Sequence, residues 1–136
     1  MSFVLDTNVL SEGMRAKPSA RASAWLRTIP PDEQFFSALS VGEIRFGIER
    51  MKPGLRRDEL QLWLEQDLVA EKHRLILPLT LEVADRWGRM KAIAGRSLSL
   101  IDSLIAATAL HHGFALATRN IKDFAGLGLK LVDPFA

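Results

Sequence analysis

No cysteine occurs in these 136 residues. Disulfides and thiolate metal sites are therefore excluded, and the composition fits a reducing, cytoplasmic setting. Three histidines are too few, and too scattered, for a zinc site of ordinary spacing. No apolar run is long enough to cross a membrane. The opening run Phe3-Val4-Leu5 ends at once in Asp6, which does not read as a secretory leader. There is no GxGxxG and no phosphate-binding Walker loop. Gly126-Leu127-Gly128 follows no strand and opens no helix, so it reads as a turn. No internal repeat, low-complexity tract or linker divides the chain, and its length suits one domain over residues 1–136.

What remains is an apolar chain with a small charge excess. At 48% hydrophobic residues there is material for a real core. The formal net charge of +2 says little about partners. Apolar and turn residues predict alternating elements. Phe3–Leu5 is a short buried strand, and a small helix runs from Asn8 to near Gly13. A helix opened by Pro18 is stopped by Pro30-Pro31. A strand over 34–38 is followed by a helix from Ser40 to about Met51, ended by Pro53-Gly54. A long helix runs from Leu55 to about His73, with a strand over 74–77 behind it. Helices over 80–94 and 101–112 follow, the second apolar almost all round and hence central. Strands over 114–117 and 129–132 close the chain. Strands separated by helices predict an α/β domain with a mostly parallel sheet of about five strands.

In such sheets ligands bind beyond the carboxyl ends of the strands. Asp6 stands at such an end. Glu43 and Asp102 stand near helix starts, where the same topology gathers residues on one rim. Each has a bland alternative. Asp6 suits a helix N-cap, Ser40-Val41-Gly42-Glu43 matches a capping box, and Ser99-Leu100-Ile101-Asp102 matches its looser form. In "TRNIKDF", Asn120 and Asp123 offer further oxygens after the strand over 114–117. Carboxylates converging from distant segments need a cation, and oxygen-only ligands favour Mg²⁺ or Mn²⁺. Such a site activates water and stabilises a displaced phosphate oxygen, as in many nucleases. Setting four acids aside in one site leaves 18 basic against 12 acidic residues elsewhere; twelve of the basic ones are Arg, which suits phosphate contacts.

"FVLDTNVLSE", "SVGEIRFGIER", "LSLIDSLIAATALHHG" and "LATRNIKDFAGLGLKLVDPF" resemble the PIN domain, and within it the VapC/FitB-like toxins of bacterial toxin–antitoxin pairs. The resemblance covers essentially the whole chain. It implies a Mg²⁺-dependent ribonuclease on a parallel sheet, a homodimer or larger assembly, an RNA substrate and an inhibiting antitoxin. Carried over position by position, it implies catalytic and metal-holding roles for Asp6, Glu43 and Asp102. Asp123 is the favoured fourth acid, with Asn120 a polar neighbour. Thr7, Asn8 and Thr118 match polar positions lining the family's site. Arg119 and Lys122 lie close by in sequence and are candidates for RNA phosphate contacts, or ordinary loop charges.

Two rivals stand beside this reading. A HAD-type phosphatase also opens with a strand ending in Asp, but needs a second Asp where this chain has Asn8. A PIN-like module without activity would bind RNA or protein only, and the full acid set argues against it. The His111-His112 pair before Gly113 reads as a helix C-terminus. In the long helix, Leu60, Trp63, Leu64 and Leu68 form one apolar stripe and Leu55, Leu62 and Val69 another. One faces the core; the other needs a covering loop or a partner surface.

Overall fold

Phe3–Leu5 forms β1, the central strand, in a computed structural model that describes all residues from Met1 to Ala136. Gln34–Ser37 (β2) pairs with one side of it and Ala115–Ala117 (β4) with the other. Ile76–Leu77 (β3) extends the sheet beyond β2, and Leu131–Val132 (β5) beyond β4. The order is β3-β2-β1-β4-β5 and every pairing is parallel, as the alternation of elements predicted.

Side chains alternate across a strand, so β1 feeds two cores. Phe3 and Leu5 point to one face, where they join Phe36, Ile44, Ile48, Leu60, Leu64 and Leu68. Val4 points to the other with Leu116, Val83, Met90 and Ile105. The first face is covered by Ala38–Glu49 (α3) and by Leu55–Leu62 (α4), which runs on as a π-helical segment over Trp63–Ala70. The second is covered by Leu81–Ala94 (α5) and Leu100–His112 (α6). The buried alanines of α6 at 106, 107 and 109 let it lie close against its neighbours, as its all-round apolarity predicted. Gly113 ends α6 in the left-handed region at φ 70°, where a Cβ is disfavoured.

Several boundaries differ from the sequence reading. Thr7–Leu10 (α1) starts one residue earlier than predicted and continues as a 3₁₀ turn over Ser11–Met14. Ala20–Arg27 (α2) is capped by Ser19, which accepts from the Ala22 N–H at 3.2 Å, so Pro18 lies outside it. The long helix does not reach His73 as one element. It closes at Ala70, and a 3₁₀ turn over His73–Leu75 shortens β3 to two residues. Of its two stripes, Leu60, Leu64 and Leu68 are buried, while Leu55 and Leu62 stay 75% and 60% exposed with no loop over them. No helix is long and apolar enough to cross a membrane.

Candidate active site

Because all five strands run the same way, β1, β2 and β4 end on one rim. Asp6 is the first residue beyond β1, and its N–H still pairs with the Ala117 carbonyl of β4 at 2.9 Å. Its backbone is extended, which suits the N-cap of α1. The side chain does more than cap. One carboxyl oxygen accepts from the Thr7 N–H at 2.8 Å. The other accepts from the Thr118 hydroxyl at 2.7 Å and from the Asn8 amide at 3.3 Å. Thr118 is fully buried just past β4 and accepts in turn from the Asn120 N–H at 3.0 Å. Asn8 accepts from the Arg119 N–H at 3.2 Å, tying the β4 loop to the β1 loop. Thr7, Asn8 and Thr118 thus stand together around Asp6.

Glu43 is not part of a capping box. The N-cap of α3 is Ser37, whose hydroxyl accepts from the Leu39 N–H at 3.0 Å. Ser40 is a buried residue inside the helix, one turn before Glu43. Thr7 Oγ1 lies 2.6 Å from Glu43 Oε1 and 2.8 Å from Ser40 Oγ. A carboxylate only accepts, so the Thr7 proton goes to Glu43, and Ser40 donates to Thr7. Ser40 is therefore a supporting residue that the sequence disguised as a cap.

Asp102 sits in the first turn of α6, where the helix dipole favours a negative charge. Ser99 occupies the N-cap position but its side chain makes no capping bond. Asp123 lies on Ile121–Phe124 (α7), a single turn whose Phe124 is buried. Asp102 and Asp123 line one cleft of about 170 Å³ with Ser99 and Arg96. Glu43 lines a separate groove of about 460 Å³ with Ile101, Leu39 and Phe46.

The electrostatics tie these acids together. Burial pushes the Asp6 carboxyl above its ordinary pKa; the bonds from Thr118 and Thr7 pull it back, and the charge of Glu43 pushes it up again. Asp102 is pushed up first by burial, then by the charges of Asp6, Glu43 and Asp123. Asp102 therefore feels the charges of the other three acids and Asp6 that of Glu43, although the four come from four elements. None of the seven ion pairs in the molecule involves any of them. Asn120 is exposed and its side chain bonds to nothing in the chain, whereas the charge of Asp123 reaches Asp102.

A hard divalent cation fits this donor set: oxygen ligands, mutual repulsion and no lysine or arginine paired to them. No three of these side chains close tightly enough to enclose a metal by direct bonds alone. Mg²⁺ keeps several waters and takes only one or two carboxylates directly, so it would be held here partly through water. Of the basic candidates, Arg119 stacks its guanidinium 3.9 Å above the Phe135 ring, which fixes it beside the Asn8 loop. Lys122 is exposed on α7.

The pattern that defines the PIN domain matches residues 3–128. The VapC ribonuclease Y4jK of Sinorhizobium fredii is 36% identical over 136 residues, covering 98% of this chain and 97% of that protein. The toxin FitB of Neisseria gonorrhoeae is 32% identical, covering 98% of both. In three dimensions the fold matches the crystal structure of FitAcB from the same organism with a TM-score of 0.91, at 32% identity and 98% coverage of both chains.

Proposed function

The chain belongs to the PIN-domain family, beside its VapC and FitB toxins, and on that premise we propose that it is a Mg²⁺-dependent endoribonuclease, the toxin of a toxin–antitoxin pair. The observation that carries this reading is the placing of Asp6, Glu43, Asp102 and Asp123 at one sheet rim, the other three charges acting on Asp102, with no basic side chain paired to any of them. These four would hold Mg²⁺, or Mn²⁺ in its place. A bound ion supplies Lewis-acid charge and lowers the pKa of water, the chemistry of phosphodiester hydrolysis.

The chain's own residues prepare that site. Thr118 and the Thr7 N–H fix both oxygens of Asp6 and favour its charged form. Thr7, backed by Ser40, aims Glu43 back toward β1. The exposed carboxylates Glu43 and Asp123 stand on the solvent side, where a polynucleotide approaches. Arg119 and Lys122, beside Asp123, supply positive charge for the RNA backbone.

On this reading residues 1–136 are one PIN-type unit that pairs with a second copy and with an antitoxin. Phe46, Leu55 and Leu62, each at least 60% exposed, support a partner on the α3–α4 side. The test is incubation of end-labelled RNA with the purified protein. Cleavage in Mg²⁺, none in EDTA and none with Asp6→Asn are expected. Cleavage that survives EDTA or Asp6→Asn overturns the reading, and RNA bound but left intact in Mg²⁺ identifies a binding module instead.

A further inference from the structure

Asp123 is the least anchored of the four acids. It sits on α7, which is four residues long, and one turn of helix does not persist unaided. Phe124 holds one side of that turn in the core. Beyond it the chain reverses through Gly126 and Gly128, at φ 79° and 83°, so no further turn of helix steadies it. The carbonyl end of α7 is held from elsewhere. Arg96 Nη2, from the loop between α5 and α6, donates to the carbonyls of Asp123 at 3.0 Å and Ala125 at 2.9 Å. No other side chain bonds to residues 121–125. Arg96 also lines the cleft that Asp102 and Asp123 share, yet it forms no ion pair with either.

We propose that Arg96 is a positioning residue for the fourth acid: its grip on the Asp123 and Ala125 carbonyls fixes the turn that aims Asp123 at Asp102. This rests on the divalent-cation site proposed above, and it adds a residue to that site which touches no metal. Arginine suits the task because its rigid, permanently charged fork satisfies helix-end carbonyls. The carbonyls keep it occupied, so the acids stay unpaired for a cation. Its neighbour in the site is the backbone of an acid, which makes it an outer partner of the kind whose loss weakens metal binding about 10- to 100-fold.

The test compares wild type, Arg96→Gln, Arg96→Lys, Asp123→Asn and the double variant Arg96→Gln/Asp123→Asn. Amide hydrogen exchange of residues 121–125 is read by NMR in metal-free protein. Mn²⁺ affinity is read from water-proton relaxation, with no RNA present. Arg96→Gln should speed exchange in α7 and weaken Mn²⁺ binding about tenfold, while Arg96→Lys, which keeps the charge but loses the fork, recovers only part of the affinity. In the Asp123→Asn background, the same Arg96→Gln change should cost less than about twofold, because its route to the site is gone. Unchanged α7 exchange with wild-type Mn²⁺ affinity overturns the inference. So does an equal loss in the Asp123→Asn background, which would mark general destabilisation. If wild type binds no Mn²⁺, the metal site itself falls, and the exchange data alone still decide whether Arg96 clamps α7.

Discussion

Replacing Thr118 with Val tests how Asp6 is kept charged. The side chain is fully buried and Val has nearly its shape, so packing survives and only the hydroxyl is lost. That hydroxyl gives the 2.7 Å bond to Asp6 and receives the 3.0 Å bond from Asn120. Asp6 would keep the Thr7 N–H and the longer bond from Asn8. A hydrogen bond to a charged group is worth about 1.5–3 kcal/mol, and one to a neutral group about 1 kcal/mol. At pH 7.5, with Asp6 ionised, the variant should lose about 2 kcal/mol, or roughly 7 °C in Tm for a chain of this size. The Thr118 bond is among the forces lowering the Asp6 pKa, so its removal raises that pKa further. Native variant then holds a proton more tightly than native wild type, and the gap in stability widens as pH rises through that window. Below it the gap should shrink to about 1 kcal/mol. The assay is urea unfolding in EDTA at pH 4 and pH 7.5. A loss that is equal at both pH values, or absent at pH 7.5, refutes the claim that Thr118 acts on the charge of Asp6.

Three further outcomes follow from the same geometry. Asp102→Asn removes one of four repelling charges while keeping the shape, so it should raise Tm in EDTA. It should also abolish the Mg²⁺ stabilisation of wild type, about 2.7 kcal/mol at about 100 times Kd; a lower Tm in EDTA would contradict this. In metal-free protein the stability contributed by protonated Asp6 and Asp102 should be fullest below the ordinary aspartate pKa of 3.8 and be lost as pH rises through their raised values, read as the difference between wild type and the Asp6→Asn/Asp102→Asn variant, because the native state releases those protons last. Saturating Mg²⁺ should remove that fall, and a flat metal-free profile would refute the repulsion. The proposed antitoxin should place an arginine among the four carboxylates, where a bidentate guanidinium meets unpaired acids; a crystal structure of an inhibitory complex with that rim open would contradict it.

The sheet was legible because buried strands and their turn residues announce themselves locally. Phe3–Leu5 and the run before Gly113 needed no tertiary context. The start of α3 did need it. Ser37 and Ser40 both precede apolar residues, and only the extended backbone at Ser37 shows which of them ends the strand. The consequence for the site is large: with Ser37 as the cap, Glu43 is released from a capping role and turns to Thr7. Asp6 was read as either a cap or a site acid; it stands at the N-cap position and among the acids at once, a choice the sequence framed too narrowly. The π-helical end of the long helix and the shortening of β3 left no mark in composition, because both depend on how the segment meets the sheet. Arg96 was invisible for another reason. Its partners are backbone carbonyls 27 and 29 residues away, and a carbonyl has no residue identity to recognise.

If Asp6, Glu43, Asp102 and Asp123 serve one cation, crystals soaked in Mn²⁺ should reveal it by anomalous diffraction. A single cluster of anomalous density, one ion or a close pair, is expected at the rim beyond β1 and β4. Asp6 and Asp102 should lie within direct or water-mediated reach, and Glu43 and Asp123 should be drawn toward it. Density only elsewhere on the protein, or none at this rim at saturating Mn²⁺ with the four carboxylates ionised, would mean that the four acids share no cation.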